Sequence, residues 1–473
     1  MRLKHLFLSL TLFCFWPSGA FSDSRELTLK EILKSLKEFH PLIFAAFEEQ
    51  RSAEGELLAS EGAFDPSIKL DSSNQNGYYN GGRSSVILDQ PLLFNGSRVF
   101  GGYRRSDGKI ADYDGAQETL NGGEFNAGFE IPLLRDGPTD RRRVAIGRAG
   151  IQREVASANV EDRKIQLTRA STNAYWEWVA AGWRLHIAQE LLRVAKERDK
   201  QLSERVKHGD LPAFDQLDNN RQVLQRETQV VAAERALQQI SFELSLVLRE
   251  QVEGNNGKPV VPQKEQLPKR IIPPTKSDAE DFDSSLAKAF INRPELKRLE
   301  NQRSQTRLDL ELAKNQAEPR VDLQLLASQD TGDGSKTQEE GVLKAGIKIE
   351  LPLRVRTAEG RQAVAEAKDR ELVRLIEFAR DRISADVKDA ISAISLSKDR
   401  ISFAQKELKA AEQLADGERT RFDHGDSNLI FVNLREQTAA EAAIREVDAL
   451  LDYQRSLAFY RAALAKTFEE LVN

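Results

Sequence analysis

Cysteine and methionine are almost absent from this 473-residue sequence: there is one of each, and the cysteine, Cys14, sits in the first apolar stretch. That scarcity excludes a disulfide framework and any cysteine-based metal site. The five histidines are not accompanied by a nucleophile, a phosphate loop or a metal-ligand set. His186 and Glu190 share a helical spacing, but two ligands are too few for zinc. Neither sign of charge dominates, with a net charge of −5, so nothing points to nucleic acid. No internal run approaches the ~18 apolar residues of a membrane-spanning helix. These absences leave no catalytic residue and no cofactor to assign.

What is present begins with a targeting signal. Arg2 and Lys4 precede "LFLSLTLFCFW" and then "PSGAFS". This is the pattern of a secretory signal peptide, residues 1–22, cleaved after Ala20 or Ser22. Cleavage would remove two bases and no acid, leaving a charge of −7, and would take Cys14 with it.

The remainder is written twice. "HPLIFAAFEEQ" at 40 and "RPELKRLENQ" at 293 each open a helical stretch, and a second proline, Pro66 or Pro319, follows the first by 25 residues. "GEFNAGFEIPLL" (123–134) matches "GVLKAGIKIELPL" (341–353), and "RVKHGD" at 205 matches "RFDHGD" at 421. The copies span 23–253 and 277–473. Between them, 254–276 carries five prolines, which no helix continues through, and is expected to be a linker. The first copy holds about 35 extra residues between Pro66 and Gly128, including "SSVILDQPLLF" and "RVFGGYRRS". They are expected either to lengthen strands or to form an extra surface hairpin.

Leu343, Ala345, Ile347, Ile349 and Leu351 alternate with polar residues and glycine, as do Phe125, Ala127, Phe129 and Ile131. Period 2 fits a half-buried sheet on a soluble core or the wall of a membrane barrel. The signal peptide and the lack of a spanning helix favour the barrel. Two strand pairs cannot close one, so several chains would have to share it. Two long segments, 137–207 and 359–424, predict helices of ~105 and ~95 Å. In the second, Ile383, Val387, Ala390, Ile394, Ser397, Ile401, Ala404, Leu408, Ala411 and Ala415 form a heptad seam. Leu396, Phe403 and Ala410 form another row, implying two neighbours for one helix.

Each HGD sequence follows a long helix. Gly209 and Gly425 suit the left-handed conformation that ends one, and Asp210 and Asp426 are expected to cap the returning helix. His208 and His424 are expected to act near the helix C-terminus as cations, or merely to be exposed, and not to be catalysts.

The order of these motifs, from the proline-bounded segments to the turns "HGDLPAFDQLDNNR" and "HGDSNLIFVNLREQTAAEA", resembles the TolC-like outer membrane efflux protein family. The resemblance implies a mainly α chain with membrane β: a homotrimer whose chains each give four strands to a 12-stranded outer-membrane β-barrel, continuous with a long periplasmic α-helical barrel. It implies a passive duct working with a periplasmic adaptor and an inner-membrane transporter, for efflux or type I secretion. His208, Gly209, Asp210, His424, Gly425 and Asp426 would form the adaptor-docking tips, and Asp215 and Asp218 the lumen gate. In the second copy the corresponding positions hold Phe431 and Leu434, and Ser427 stands where some members carry a basic residue, so gating departs from the family pattern there. Both strand-to-helix passages are basic: Arg135, Arg141, Arg142 and Arg143 in one, Arg354, Arg356 and Arg361 in the other. At a periplasmic membrane face these would contact anionic lipid head groups, against the alternative of a solvated cluster. A periplasmic adaptor and an exported coiled-coil structural protein are the competing readings.

Overall fold

A computed structural model describes residues 25–110, 118–210, 212–252, 255–271, 279–334 and 340–472. The expected signal peptide, Cys14 and part of the 254–276 segment lie outside the described residues.

The first copy opens with α1 (Leu29–Phe39), fixed by a capping box in which Thr28 and Glu31 satisfy each other's backbone amides. α2 (Pro41–Glu61) starts at a proline, whose missing N–H costs nothing at a helix start. Four strands follow: β1 (Ser67–Gln75), β2 (Gly81–Pro91), β3 (Arg98–Gly108) and β4 (Glu124–Pro132). Next come α3 (Arg141–Lys207) and, after the HGD turn, α4 (Ala213–Ser245). A short hairpin, β5 (Arg249–Val252) and β6 (Asn255–Pro259), joins the copies. The expected linker is therefore partly a strand pair: prolines exclude a helix there but are compatible with a short two-stranded edge.

The second copy repeats the plan with α5 (Phe282–Asn292), α6 (Pro294–Asn315), β7 (Arg320–Asp330), β8 (Val342–Glu350), α7 (Arg356–Asp423) and α8 (Leu429–Ala463), and α9 (Phe468–Val472) follows. At 67 and 68 residues, α3 and α7 are each ~100 Å long at 1.5 Å per residue.

Six strands form one antiparallel sheet in the order β1-β2-β3-β4-β7-β8. Four strands per chain were expected in a barrel; among the described residues this sheet holds six. The extra pair is the β2–β3 hairpin, made by the insertion in the first copy, and it lies inside the sheet. Its tight turn is tied down: Asn95 Nδ2 donates to the Pro132 carbonyl at 2.9 Å, and Gln90 Nε2 to that of Phe64 at 2.7 Å.

The helices form a layer four wide. Toward the sheet its order is α2, α3, α6, α7, and toward the HGD turns α4, α3, α8, α7. The long helices run through both zones while the shorter ones follow each other along the layer. All of the heptad seam on α7 is buried except the half-buried Leu408, and it packs on α8 and its neighbours. The second row behaves differently. Leu396 is 61% and Phe403 68% exposed, and α4, at the opposite edge of the layer, shows Leu217, Leu224 and Val231 at heptad spacing, each about two-thirds exposed. The two edge helices thus carry unpartnered apolar stripes. The midsection is thicker, with α1, α3, α4 and α8 enclosing Trp178, whose Nε1 donates to Ser241 Oγ at 3.1 Å.

The two rows on α7 separate in a stability measurement. Ile394→Ala should cost about 2–5 kcal/mol in denaturant unfolding of the monomer. Phe403→Ala should cost under about 1 kcal/mol, because its ring has little to lose within one chain. Equal losses would mean that the second row is already covered.

Candidate functional site: a two-faced wall and two helical tips

The sheet has one apolar and one polar face. Registered pairs carry the apolar face across all six strands: Ile68 opposes Leu88, Val86 opposes Tyr103, Tyr103 opposes Phe125, Phe129 opposes Leu325, and Leu323 opposes Ile347. Little covers it: Leu70 is 76% and Leu343 81% exposed. Water would penalise such a surface, whereas hydrocarbon favours it. The strands, 9 to 11 residues long, match the ~9–11 that a tilted strand needs to cross a bilayer.

The opposite face carries a belt of alternating charge at its helix-proximal end. Lys69 lies 2.6 Å from Asp89, Arg98 lies 3.5 Å from Asp89 and 2.7 Å from Glu130, and Arg320 lies 3.5 Å from Glu130 and 2.7 Å from Asp322. Arg104 and Glu124 pair farther up. Phe100 also lies on this face, its ring over Gly128, where a Cβ would approach the ring to 2.3 Å. The glycine is needed for that packing.

The basic passages fall mainly beside this polar face. Arg141 and Arg142 border the same cleft as Lys69, Asp89, Arg98 and Asp322. Arg141 donates to Gln316 Oε1 at 3.2 Å, as Arg135 does at 3.5 Å, and Arg143 is held by Asp140 and the Gly137 carbonyl. Asp140 also accepts the Arg142 and Arg143 amides as N-cap of α3, so a carboxylate offsets the unfavourable arginines of the first turn. Arg354 is exposed beside Leu353, itself almost fully exposed. Arg356 and Arg361 border a groove shared with Arg148, Asp309 and Lys368.

The tips are two copies of one helix stop. Gly209 and Gly425 have φ of 81° and 83°, the left-handed region open to glycine. The Asp210 amide bonds the Arg205 carbonyl at 2.9 Å and the Gly209 amide that of Val206 at 3.0 Å; Asp426 and Gly425 repeat this on Arg421 and Phe422. This is the Schellman arrangement. His208 Nδ1 lies 2.7 Å from the Glu204 carbonyl and His424 Nδ1 2.6 Å from that of Thr420, so each ring adds a second contact to a carbonyl that already accepts the histidine's own backbone amide. Asp210 and Asp426 do not cap the returning helices, contrary to expectation. Pro212 and Asn428 are the N-caps, and Asn428 accepts from the Phe431 amide. Both aspartates are spent on the stop, and the chain needs further residues to reverse.

Asp215 is half-buried in the first turn of α4, where a carboxylate suits the dipole. Asp218 accepts from Arg221 at 3.2 Å. Phe431 and Leu434 are half-exposed at the start of α8. Ser427 donates to Glu418. His186 stands edge-on to Trp183, 5.6 Å between ring centres, while Glu190 pairs with Arg193, so they form no common site. Among the described residues no group of three or more His, Cys, Asp or Glu side chains gathers as metal ligands.

One cluster was not anticipated from sequence. A few turns from the tips, Glu436 on α8 is buried and reached from three other helices: by Arg198 of α3, by Arg226 of α4 at 3.2 Å and by Arg419 of α7 at 2.9 Å. Arg198 also donates to Asn433 Oδ1 at 2.6 Å, and Arg226 to the Leu191 carbonyl at 2.9 Å. Burial alone would raise the Glu436 pKa, but the three guanidiniums outweigh it and hold the carboxyl below its usual 4.5. Arg226 is lowered by burial and by the like charges of Arg198 and Arg419, which Glu436 only partly offsets. A signal did exist: Asn219 and Arg226 fall in phase with Val230, Leu237 and Leu244 on the buried face of α4, where a heptad seam would ordinarily be apolar.

The chain thus joins a two-faced sheet at one end to a four-wide helical layer at the other. Residues 286–466 match the family described as Outer membrane efflux protein. Three solved structures share the fold. A membrane protein from Pseudomonas aeruginosa is 15% identical, with 99% of this chain and 98% of that one covered and a TM-score of 0.67. The outer membrane protein VceC from Vibrio cholerae is 15% identical over 93% and 96%, with a TM-score of 0.65. The open state of the Neisseria gonorrhoeae MtrE outer membrane channel is 17% identical over 93% and 89%, with a TM-score of 0.62. No curated protein matches the sequence. The family match falls within the second copy, and the fold is shared along nearly the whole chain.

The Glu436 cluster predicts an acid-sensitive step. Glu436→Gln should cost about 3–5 kcal/mol, since buried guanidiniums would lose their carboxylate. In the parent, the depressed carboxyl adds stability that is full above the unfolded value near 4.5 and is lost as pH falls through the lower folded value. Unfolding free energies across pH 2–6 should show that slope in the parent and a flatter one in the variant.

Proposed function

We propose that this chain is one third of a passive outer-membrane exit duct, the sheet contributing to a barrel in the bilayer and the helices to a tunnel in the periplasm. The observation that carries this reading is the unbroken apolar face over six strands, opposite a face lined with charge. An open sheet cannot stay in lipid, because its edge N–H and C=O groups would find no partner. Three copies around one axis give the edges of sheet and helical layer partners at the same time, α4 of one chain meeting α7 of the next.

Transport would be powered elsewhere. The tips His208–Asp210 and His424–Asp426 would meet a periplasmic adaptor, which links the duct to an inner-membrane transporter. Gly209 and Gly425 have open space around them, as an exposed docking knuckle requires. Asp215 and Asp218 are proposed to narrow the bore by the first copy's tip, with Phe431 and Leu434 giving an apolar counterpart at the second. Arg141 and Arg142 are better placed for the rim of the bore than for lipid, and Arg143 is committed to Asp140. Arg354, beside the exposed Leu353, is the favoured head-group contact. A soluble adaptor has no use for the apolar sheet face, and a coiled-coil rod has none for the sheet.

Fractionation and crosslinking test this reading. The protein should sediment with outer membranes and crosslink as trimers; a soluble monomer would refute the duct. In planar bilayers, Asp215→Asn and Asp218→Asn should raise the resting conductance several-fold. No change in either variant would remove these residues from the gate.

A further inference from the structure

The inserted hairpin changes the arithmetic of closure. β2 and β3 stand inside the sheet, bonded over their length to each other and to β1 and β4. Their outward residues Val86, Leu88, Val99 and Tyr103 continue the apolar face. Their inward residues Asp89 and Arg98 belong to the charged belt, and Arg104 pairs with Glu124 beyond it. The hairpin is thus built as barrel wall. Two edges remain: among the described residues β1 and β8, nine residues each, have no second neighbour in the sheet.

Resting on the trimeric duct proposed above, we infer that the barrel has eighteen strands, and that β1 pairs antiparallel with β8 of the partner subunit in one register: Lys69 opposite Glu350 of the partner subunit, and Asp71 opposite Lys348 of the partner subunit. The first part follows from six strands per chain. The second follows from three constraints acting together.

Pleat alternation comes first. Ile68 and Leu70 must share a face with Leu343, Ala345, Ile347 and Ile349, which excludes every second register. Charge comes next. Slipping two residues one way sets Lys69 against Lys348 of the partner subunit; slipping two the other way sets Asp71 against Glu350 of the partner subunit. Like charges directly opposed destabilise a sheet. Tilt excludes the remaining neighbour, the register that sets Asp71 against Lys344 of the partner subunit. Following the observed pairings across the chain, that register tilts the strands only ~25°, below the 35–45° of closed barrels, whereas the proposed one tilts them ~43°.

The chosen register also closes the charged belt. Glu350 opposes Arg320 within its own chain, and Lys348 opposes Asp322. Setting Lys69 and Asp71 beside them continues the alternation from one subunit into the next. Barrel diameter rises roughly linearly with strand number, so eighteen strands give a bore about half again as wide as twelve. The helical layer keeps its width of four. The narrowing therefore lies in the tunnel and its tips, with a broad vestibule in the membrane.

Paired cysteines read the register in the purified, membrane-extracted trimer. Asp71→Cys with Lys348→Cys should oxidise to covalent dimers and trimers, whereas Lys69→Cys with Lys348→Cys should not; the reverse result overturns the register. Lys348→Glu should cost the trimer band on unheated gels, and adding Asp71→Lys should restore it; failure of that rescue counts against the pairing. Electron cryo-microscopy of the trimer in nanodiscs counts the strands. Eighteen supports the inference. Twelve, with residues 81–108 folded out of the wall, overturns it and leaves the trimeric duct standing. Absence of trimers overturns both.

Discussion

Hydrocarbon offers a backbone amide no partner except another peptide group, and this restriction governs most of the structure. A helix answers it internally, but among the described residues no helix is long and apolar enough to cross a membrane. In the proposed duct the task falls to the sheet, whose apolar face runs from β1 to β8 without a polar strand between. A sheet satisfies its amides only by meeting its own end. On that reading, cooperation between chains follows from hydrogen bonding, before any question of transport arises.

The helical layer meets the same demand by packing. α3 and α7 each present apolar residues to more than one neighbour, and the stripes on α4 and α7 stay open at the margins of the chain. Coiled-coil seams alone would let the helices slide or splay. The Glu436 cluster opposes that at one level by drawing α3, α4 and α7 onto a single carboxylate of α8. Three cations on one anion, buried, do little for stability compared with a well-packed apolar core. They do fix four helices in one register, and a geometry that depends on one charge is released when that charge is lost.

Regular periods were legible in the sequence, and single placements less so. The alternation at 343–351 and the seam from Ile383 to Ala415 both lie where the periods put them. The left-handed stops at Gly209 and Gly425 were readable because that backbone conformation selects glycine. The β2–β3 hairpin was obscured, since Val86, Ile87 and Leu88 run consecutively and Gly101–Gly102 blank the pattern in β3. Asp210 and Asp426 misled because their residue type suits both a cap and a stop. The buried arginines could not be matched to Glu436 by spacing, for the four residues come from four helices brought together only by folding.

The insertion also explains how one duplication yields two unequal halves. β1 corresponds to β7 and β4 to β8, each pair running away from the helices and back. A hairpin placed between β1 and β4 adds one strand in each direction, so the antiparallel order and the facing of every residue survive. An insertion of a single strand would have reversed all that followed. Widening by a hairpin is therefore a small change that the proposed barrel wall tolerates, and its anchor at Asn95 and Pro132 lies at the helix-proximal end, leaving the long helices in place.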